Sequence, residues 1–540
     1  MPKVIVLDKL AQEGLDLLAA APGIEYEVRT GLKGEELRQA LAEADGAICR
    51  SGVKITADVL EGNSRLKAVV RAGVGTDNID SKAATRLGIV VMNTPAGNTL
   101  STAEHTIAMM LGLSRNVAPA YQSLCEGKWD RSRYMGTQLA NKTLGIVGLG
   151  RIGQAVGARA KAFQMRVLGF DPFLSRERIE ELGYEAADSV EAMLPEVDYL
   201  TVHTPLTDET RNLVDIPQLE RLKPGVRLIN CARGGIYNEA ALVEGLKQGR
   251  IAGVALDVYA SEPCTDSPLF GMPGVLATPH LGASTEEAQA QVAVEGVGLL
   301  VDYITTGVIR HAVNMTPLDA KTLSELRGYL DVAFRLGLLL AQCESGTMAR
   351  CTLEYRGDVA GKNTKLVTAS FAAGLLAHAL AQDINIVNAE VLLRERGIDL
   401  VEKRQSEMGA FSSVIIAQIE TGGASHSAAG TVFGVDMPRL VQLDDFRLDA
   451  YLDGVLMVFT HKDVPGIIGA VGTIFGKHQI NIAQMAVGRE AKGGEAIGIL
   501  NLDQPPTPEA LDEVRAHPAI NRAYVIKLPP AGERPAWMAS

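Results

Sequence analysis

Three polar residues that could perform acid–base chemistry each follow an apolar, strand-like segment in the middle of the chain. Arg233 comes after LINCA, Glu262 after ALDVYAS, and His280 after VLATP. Parallel strands end at one edge of a sheet, where ligands bind, so we expect these side chains to meet. An imidazole can remove a hydroxyl proton, and a guanidinium can hold a carboxylate and polarise a forming carbonyl. The set predicts oxidation of an alcohol beside a carboxylate, with Glu262 favouring the protonated form of His280.

A glycine-rich turn earlier in the chain could bind a dinucleotide. Gly148, Gly150 and Gly153 lie between the strand-like LGIV and the helical QAVGARAKAF. Glycines allow a tight turn and close backbone approach, and a helix N-terminus offers free N–H groups to a pyrophosphate. Asp171 follows Gly153 by 18 residues, at the end of the next strand, where a carboxylate binds ribose hydroxyls and repels a 2′-phosphate. The pattern predicts NAD rather than NADP as the cofactor.

The elements that must position these residues alternate twice between strands and helices. Runs such as KVIVLD and KAVVRAG continue to about residue 95, and TLGIVGLG to VLATPH cover about 143–280. This alternation is typical of βαβ units with parallel sheets. The sequence therefore predicts an α/β protein with two doubly wound, Rossmann-like domains.

Two capping-box patterns predict helices that connect these domains. Ser101-x-x-Glu104 opens one helix to about residue 125, and Ser284-x-x-Glu287 opens another to about residue 306. The second helix is long enough to return to the first domain, which would then be discontinuous.

The last two fifths of the chain have a different pattern. Residues 319–342 and 385–396 are helical in pattern, among short strands that indicate an α+β domain. Residues 451–528 follow the order β-α-β-β-α-β of a ferredoxin-like fold, with strands near 453–460, 480–489, 495–502 and 522–528 and helices near 466–477 and 508–516. The predicted domains are 1–98 plus 285–315, 99–284, 316–450 and 451–529, with a tail at 530–540.

Composition and charge limit the class of protein. The 540 residues include 52 Lys and Arg against 64 Asp and Glu, and the net charge of −12 argues against a nucleic-acid partner. The six cysteines show neither zinc-ligand nor disulfide spacing, so we predict no metal site. The N-terminus lacks a signal-peptide pattern, and no apolar run reaches about 18 residues. We therefore predict a cytoplasmic protein with no membrane span.

The segments VGLGRIG, TVHTPLT, INCARGGI, ALDVYASEP and TPHLGAST resemble the D-isomer-specific 2-hydroxyacid dehydrogenase family. The resemblance implies an NAD-dependent enzyme in which Arg233, Glu262 and His280 are catalytic. It implies that NAD contacts, besides the three glycines, the residues Thr76, Arg151, Ile152, Asp171, Thr204, Cys231, Ala232, Arg233, Asp257, His280, Leu281, Gly282 and Ala283.

With its C-terminal additions the chain resembles the long members of this family, which implies oxidation of 3-phospho-D-glycerate in the first step of L-serine biosynthesis. The substrate phosphate needs cations, and a guanidinium suits it. Arg50 ends the strand-like GAIC and Arg71 precedes the turn AGVGTDN, so we predict that both bind the phosphate. The alternative for each is a surface ion pair. Arg131 is a candidate to reach the active site of a neighbouring subunit.

The C-terminal segment resembles an ACT domain, a small-molecule sensor, which implies that paired subunits bind L-serine. Asp463 and Asn481 are the candidate effector residues, with Asp463 expected to cap the helix that follows it. The alternative is a helix cap within a plain dimerisation module. His461 stands where some serine-sensing relatives have an aromatic residue. Two modules of this chain resemble association surfaces, so we predict a homo-oligomer, with a tetramer favoured.

Two other functions remain open on the sequence. A glyoxylate or hydroxypyruvate reductase of the same family would share the Arg-Glu-His set without needing a phosphate site. A corepressor-like protein that senses NAD would use the same scaffold for binding rather than turnover. Taken singly, Arg233 could also be a capping arginine, Glu262 a solvated acid and His280 a histidine that ends a strand. NADH formation with 3-phosphoglycerate discriminates among these hypotheses.

Overall fold

The computed structural model describes residues 1–343, 348–380, 384–407, 409–422, 424–535 and 537–538. The N-terminal part forms a five-stranded sheet of aliphatic strands with helices between them. Its elements are β1 (Lys3–Val6), α1 (Gln12–Ala20), β2 (Glu25–Val28), α2 (Gly34–Ala42), β3 (Gly46–Cys49), α3 (Ala57–Leu60), β4 (Ala68–Arg71), α4 (Ser81–Arg86) and β5 (Val90–Asn93). The strand order is β2-β1-β3-β4-β5, with every pair parallel.

The connection out of this sheet consists of two helices, α5 (Thr99–Ser114) and α6 (Val117–Cys125). The prediction of one helix opened by Ser101 is therefore wrong. The N-cap of α5 is Asn98. The two helices are separated at Asn116, whose φ of 52° lies in the left-handed region. Ser101 lies inside α5 and donates its hydroxyl to the carbonyl of Gly282 at 2.7 Å, a contact that only the folded chain provides.

The second domain is a seven-stranded parallel sheet. Its elements are β6 (Thr143–Val147), α7 (Arg151–Ala162), β7 (Arg166–Phe170), α8 (Arg176–Glu181), β8 (Glu185–Ala186), α9 (Val190–Met193), β9 (Tyr199–Val202), α10 (Ile216–Leu219), β10 (Val226–Asn230), α11 (Glu239–Lys247), β11 (Ile251–Leu256) and β12 (Val275–Ala277). The order β12-β11-β10-β9-β6-β7-β8 is doubly wound. Strands β10, β11 and β12 end just before the three candidate catalytic residues.

Helix α12 (Glu286–Thr306) returns to the first domain, as the sequence predicts. Its N-cap is Thr285 and not Ser284, because the Thr285 hydroxyl accepts the hydrogen bond from Ala288 N–H. Gly14 of α1 faces Ala293 so closely that a β-carbon there would lie 2.8 Å from the alanine methyl. The chain after α12 pairs with β5, where Ala312 bridges Met92, and the first domain is therefore built from two separate segments.

A six-stranded sheet and three helices follow. The elements are α13 (Ala320–Cys343), β13 (Met348–Gly357), a 3₁₀ turn (Asp358–Gly361), α14 (Thr364–Ala377), α15 (Ala389–Glu395), β14 (Asp399–Gln405), β15 (Ser413–Thr421), β16 (Ser425–Phe433), β17 (Met437–Leu443) and β18 (Phe446–Tyr451). The strand order is β14-β13-β15-β16-β17-β18. The sequence pattern missed α14, which is buried almost all round and so lacks an amphipathic stripe.

The C-terminal module has the predicted ferredoxin-like order. Its elements are β19 (Val455–Lys462), α16 (Ile467–Lys477), β20 (Ile482–Arg489), β21 (Glu495–Leu502), α17 (Pro508–Arg515) and β22 (Ile520–Lys527), in an antiparallel sheet ordered β20-β21-β19-β22. The predicted fold class is confirmed.

A buried arginine ties the C-terminal module to α13. Arg335 has no exposed side-chain surface, and its Nε donates to Asp331 Oδ1 at 2.6 Å. Its other nitrogens donate to backbone carbonyls on both sides of the module, those of Leu452, Pro529, Pro530 and Glu533. One guanidinium therefore joins the start and the end of the module to the preceding domain.

The residues predicted as a tail pack on the same helix. Trp537 lies edge-on to Phe334 with ring centroids 6.1 Å apart, and Met538 is buried. Residues 536, 539 and 540 lie outside the described part of the chain. None of the helices in that part is both long enough and apolar enough to cross a membrane.

Candidate active site

The imidazole of His280 lies against the carboxylate of Glu262. Nδ1 of the ring is 2.7 Å from Oε2, and the other carboxylate oxygen accepts the N–H of Tyr259 at 3.0 Å. Burial raises the pKa of Glu262, but the hydrogen bonds from His280 and Tyr259 outweigh it, and the pKa lies below its ordinary value. The carboxylate therefore stays ionised and orients the ring, which leaves Nε2 for a substrate proton.

Arg233 crosses from the second domain to the turn after β4 in the first. Its Nε donates to Asp77 Oδ2 at 2.7 Å, and its Nη1 donates to the carbonyl of Ala232 at 2.6 Å. Its remaining nitrogen lies over Gly75, where a β-carbon would be only 1.6 Å away. Glycine at position 75 thus makes room for the guanidinium between the two domains.

A cavity of about 370 Å³ opens between these two domains. It brings together many of the residues predicted for catalysis and for the cofactor, namely Thr76, Ile152, Thr204, Cys231, Ala232, Arg233, His280, Gly282 and Ala283. Other predicted residues do not line it, namely Arg50, Arg71, Gly148, Gly150, Arg151, Gly153, Asp171, Asp257, Glu262 and Leu281. Of these, Arg151, Gly153 and Leu281 are direct chain neighbours of lining residues.

The glycine turn after β6 has the geometry that a dinucleotide requires. Gly148 has a φ of 90°, and a β-carbon there would lie 2.7 Å from the carbonyl of His203. A β-carbon on Gly153 would lie 2.0 Å from the carbonyl of Gly148. Gly150 is the N-cap of α7 and leaves open space above it, so the first N–H groups of that helix are free for a pyrophosphate.

The residues around the cavity also fit the nicotinamide half of NAD. The hydroxyl of Thr204 is buried with no hydrogen-bond partner among the described residues, so a ligand can satisfy it. Burial raises the pKa of the Cys231 thiol to about 12 and lowers the pKa of His203 to about 4. Both side chains are therefore neutral beside the cofactor site.

Asp171 ends β7 and is held by backbone groups. Its two carboxylate oxygens accept the N–H groups of Leu149 and Phe173, each at 2.9 Å. The carboxylate is thereby fixed next to the glycine turn, where the adenosine ribose of NAD would lie.

The position of Asp171 leads us to expect a preference for NAD over NADP of at least about 1.4–3 kcal/mol, or 10–150-fold in kcat/KM, since a 2′-phosphate would meet this carboxylate. Steady-state kinetics with both cofactors measure the preference. Asp171→Asn should narrow it, while Asp188→Asn, which alters an exposed acid paired with Arg176, should not. Equal kcat/KM values for the two cofactors in the wild type would contradict this role.

Arg50 and Arg71 stand at the ends of β3 and β4, close to Arg233. A β-carbon on Gly73 would lie 1.7 Å from Arg71 Nη1, so this guanidinium covers the same turn as that of Arg233. Burial, and then the charge of Arg233, lower the pKa of Arg71 to about 10. The Nε atoms of Arg50 and Arg71 are buried with no partner in the described chain. The cluster has donors and positive charge that an anion would satisfy.

Three residues at this site were not identified from the sequence. Asp77 pairs with Arg233, His203 lines the cavity, and His105 of α5 reaches Asp257, with 3.1 Å between Nε2 and Oδ1. Asp77 lies in the turn AGVGTDN, and His203 lies in the segment TVHTPLT. No local pattern indicates His105, which is 152 residues from its partner.

Asp257 and Arg131 lie apart from the cavity surface. Asp257 has no exposed surface and accepts hydrogen bonds from the loop that carries His280. Arg131 is exposed in the segment after α6, and its role toward a neighbouring subunit stays a prediction.

The candidate effector residues of the C-terminal module are not brought together within one chain. Lys462, just before Asp463, pairs with Glu495, and Ile482, just after Asn481, pairs with Leu502. These positions are seven residues apart on β21, or about 23 Å at about 3.3 Å per residue. A ligand that contacts both side chains would need two subunits.

Asp463 does not cap α16, contrary to the prediction. The N-cap is Gly466, with a left-handed φ of 93°, and Asp463 accepts instead the N–H of Gly493 at 3.0 Å and Arg489 Nη1 at 3.2 Å. The hydrogen bond from Gly493 N–H has the larger effect and that from Arg489 the smaller, and together they lower the pKa of Asp463. His461 is buried, stacks on Phe459 and donates Nδ1–H to the carbonyl of Lys462, so its ring does not face the surface.

Comparison with known proteins accounts for the whole chain. Residues 107–282 match the NAD binding domain of the D-isomer specific 2-hydroxyacid dehydrogenases, residues 325–444 the D-3-phosphoglycerate dehydrogenase intervening domain, and residues 455–519 the ACT domain. The chain is 40% identical to the D-3-phosphoglycerate dehydrogenase of Synechocystis sp., over 98% of this chain and 95% of that protein. It is 39% identical to the enzyme of that name from Bacillus subtilis, over 98% of this chain and 100% of the relative.

Solved structures of other members of the dehydrogenase family match 58% of this chain. A glyoxylate reductase from Paecilomyes thermophila is 26% identical with a TM-score of 0.54, over 58% of this chain and 98% of that one. The D-lactate dehydrogenase of Escherichia coli is 28% identical with a TM-score of 0.51, over 58% of this chain and 100% of that one.

The predicted NAD dependence is confirmed. Because relatives at 39–40% identity span almost the entire sequence, the chain belongs to the D-3-phosphoglycerate dehydrogenase family, the NAD-dependent D-isomer specific 2-hydroxyacid dehydrogenases that carry intervening and ACT domains.

Proposed function

We propose that this enzyme oxidises 3-phospho-D-glycerate to 3-phosphohydroxypyruvate with NAD, the first step of L-serine biosynthesis. The observation that carries the proposal is the group of three guanidiniums, Arg50, Arg71 and Arg233, between the two N-terminal domains. Burial, and then the charges of Arg233 and Arg50, lower the pKa of Arg71, and a bound anion would offset both effects. A substrate with a carboxylate at one end and a phosphate at the other supplies two anionic groups to this cluster.

The residues divide the chemistry between them. His280 accepts the hydroxyl proton at Nε2, and the ionised Glu262 stabilises the resulting imidazolium through Nδ1. Arg233 holds the substrate carboxylate and polarises the forming carbonyl, while Arg50 and Arg71 bind the phosphate. NAD, when bound, would supply the hydride acceptor for the carbon whose hydroxyl group gives its proton to His280.

Replacing Arg71 by glutamine should lower kcat/KM for 3-phosphoglycerate about 10–100-fold, because a charged hydrogen bond to phosphate is lost, at about 1.5–3 kcal/mol. Oxidation of D-glycerate, which has no phosphate, should change less than about threefold. NADH formation at 340 nm measures both. Arg65→Gln, which removes an exposed arginine paired with Asp45, is the matched control.

Three results would contradict the proposal in different ways. An equal loss of kcat/KM for 3-phosphoglycerate and D-glycerate in the Arg71 variant would show that Arg71 does not bind the phosphate. A wild type that forms no NADH with 3-phosphoglycerate but reduces glyoxylate or hydroxypyruvate would favour the reductase hypothesis, and no turnover with any 2-hydroxy acid would favour the NAD-sensing protein. The arginine cluster and the relatives that align over 98% of the chain favour the first function, since the glyoxylate reductase aligns over only 58% of it.

The enzyme is proposed to act as a homo-oligomer in the cytoplasm, with a tetramer as its expected state. Apolar side chains on and after α6 are more than half exposed and lie on one surface segment, namely Val117, Tyr121, Leu124, Trp129 and Met135. Exposed apolar groups of this size are typical of association surfaces. None of the six cysteines, all of them in the described part of the chain, forms a disulfide, which suits a reducing compartment.

L-Serine is the proposed effector, bound between two paired ACT domains by Asp463 of one subunit and Asn481 of the other. Serine at millimolar concentration should raise the melting temperature and reduce turnover about 5-fold or more, as a coupling of about 1–3 kcal/mol predicts. Asn481→Ala should weaken inhibition without changing kcat in the absence of serine. Asn521→Ala, a change on the same module, should not weaken it. No heat of binding and no melting shift at about 10 mM serine would leave the module as an association domain.

A further inference from the structure

The loop that carries His280 needs support, because its backbone is in an unusual conformation. His280 has a φ of 56°, in the left-handed region that costs a non-glycine residue about 1–3 kcal/mol. The hydrogen bond to Glu262 orients the ring through Nδ1 but does not involve the backbone of the loop. Contacts on either side of His280 must therefore hold the imidazole in place.

Asp257 makes those contacts from below the loop. Its Oδ1 accepts the Thr278 hydroxyl at 2.7 Å and the Leu281 N–H at 2.7 Å, and its Oδ2 accepts the Gly282 N–H at 2.8 Å. These donors lie on both sides of His280 in the chain. Asp257 has no exposed surface, so it acts on the loop and not on a ligand in the cavity.

Helix α5 also supports this loop. His105 Nε2 lies 3.1 Å from Asp257 Oδ1 and 3.2 Å from the Thr278 hydroxyl, and its side chain is only 18% exposed. One turn earlier, Ser101 donates its hydroxyl to the Gly282 carbonyl at 2.7 Å, and Thr102 does so at 3.2 Å. The helix that joins the two domains is thereby bonded to the loop of the catalytic histidine.

A buried carboxylate needs donors to stay ionised. Burial raises the pKa of Asp257, but the hydrogen bonds from His105, Thr278 and Leu281 N–H outweigh it and leave the pKa below its ordinary value. Of these donors, His105 is the one that belongs to another element and carries a titratable group.

We propose that His105 is a positioning residue for the dehydrogenase reaction, which holds Asp257 and through it the loop that aims His280 at the substrate. His105 touches neither substrate nor cofactor. It acts as the outer member of a chain of contacts, from α5 through Asp257 to both sides of His280. The inference rests on the proposed function only in the choice of substrate for the assay. Turnover of any 2-hydroxy acid that the enzyme oxidises can measure the effect of His105 on the loop.

The test compares three replacements of His105 in the full-length enzyme. The amide nitrogen of glutamine reaches about the position of Nε2, whereas that of asparagine reaches only that of Nδ1. His105→Leu and His105→Asn should lower kcat about 10–100-fold, the usual effect of losing a supporting contact, with KM values within about threefold of wild type. His105→Gln should restore kcat to within about threefold.

Controls separate this role from a loss of folding. His478→Leu removes a histidine–carboxylate contact of similar length in the ACT domain, 3.0 Å to Glu513, and should leave kcat unchanged. Thr278→Val removes the hydroxyl between His105 and Asp257 while keeping its size, and should also lower kcat. Thermal melting is recorded for each variant.

The outcomes are decisive even if the leucine variant does not fold. A kcat within twofold of wild type in the asparagine variant, or equal losses in the glutamine and asparagine variants, would overturn the proposal. A wild type that is inactive with 3-phosphoglycerate but active with another 2-hydroxy acid would overturn the proposed substrate and leave this comparison intact.

Discussion

Replacing His280 by alanine is expected to lower kcat about 10²–10⁴-fold, the usual contribution of a positioned general base. The hydroxyl proton then has no acceptor, because the neighbouring Glu262 lies behind the ring and does not line the cavity. NAD affinity should remain nearly intact, since the glycine turn and Asp171 are in another part of the domain. Steady-state kinetics and a titration of bound cofactor measure the two effects separately. A variant that keeps more than a third of wild-type turnover would exclude His280 as the base.

Glu262→Gln provides the comparison for this result. Its kcat should fall less than that of the alanine variant, because the base itself remains. The hydrogen bond from His280 lowers the pKa of Glu262, so removing this carboxylate should move the acid limb of the kcat/KM profile to lower pH. An unmoved limb would mean that the 2.7 Å contact between the two side chains does not affect the reaction.

Replacing Arg335 by alanine is expected to cost about 3–5 kcal/mol of unfolding free energy, the usual penalty for removing one member of a buried ion pair. Asp331 would keep only the more distant Arg534, 3.6 Å away, and four backbone carbonyls around the ACT domain would lose their donor. Urea unfolding followed by circular dichroism measures the loss. We expect the ACT domain to separate first, because the arginine joins both of its ends to α13.

Two variants test the reason for this effect. The double change Arg335→Met with Asp331→Asn removes both charges and should be less destabilising than Arg335→Ala, since no buried charge is left unpaired. Arg178→Ala breaks an exposed pair with Glu181 and should cost no more than about 1 kcal/mol. A loss below about 1 kcal/mol for Arg335→Ala would show that the buried guanidinium does not hold the domains together.

Much of the fold could be predicted from the sequence because its determinants are local. Alternating aliphatic strands and helices specify the parallel sheets, and the ferredoxin-like order can be read from six short elements. The same reasoning brings Arg233 and His280 to one cavity, because neighbouring parallel strands end at the same edge. The glycine turn is also local, since three glycines and a helix N-terminus lie within a few residues of one another.

Local patterns failed where a tertiary contact competes with them. Ser101 has the sequence of a helix cap, but its hydroxyl bonds to Gly282, 181 residues away, and the helix begins earlier. Asp463 likewise bonds to the hairpin at Gly493 and does not cap α16. A helix buried on all sides, such as α14, carries no amphipathic stripe to mark it.

Local residue patterns specify which domains form, which residues end the catalytic strands, and that a dinucleotide turn precedes them. Which charged groups face one another depends instead on how the elements pack. The approach of Arg71 to Arg233 requires the two domains to close over Gly73 and Gly75, and the contact of His105 with Asp257 requires α5 to cross beneath a loop 152 residues later. Such contacts have no periodicity in the chain, because they arise from packing between elements that are distant in sequence.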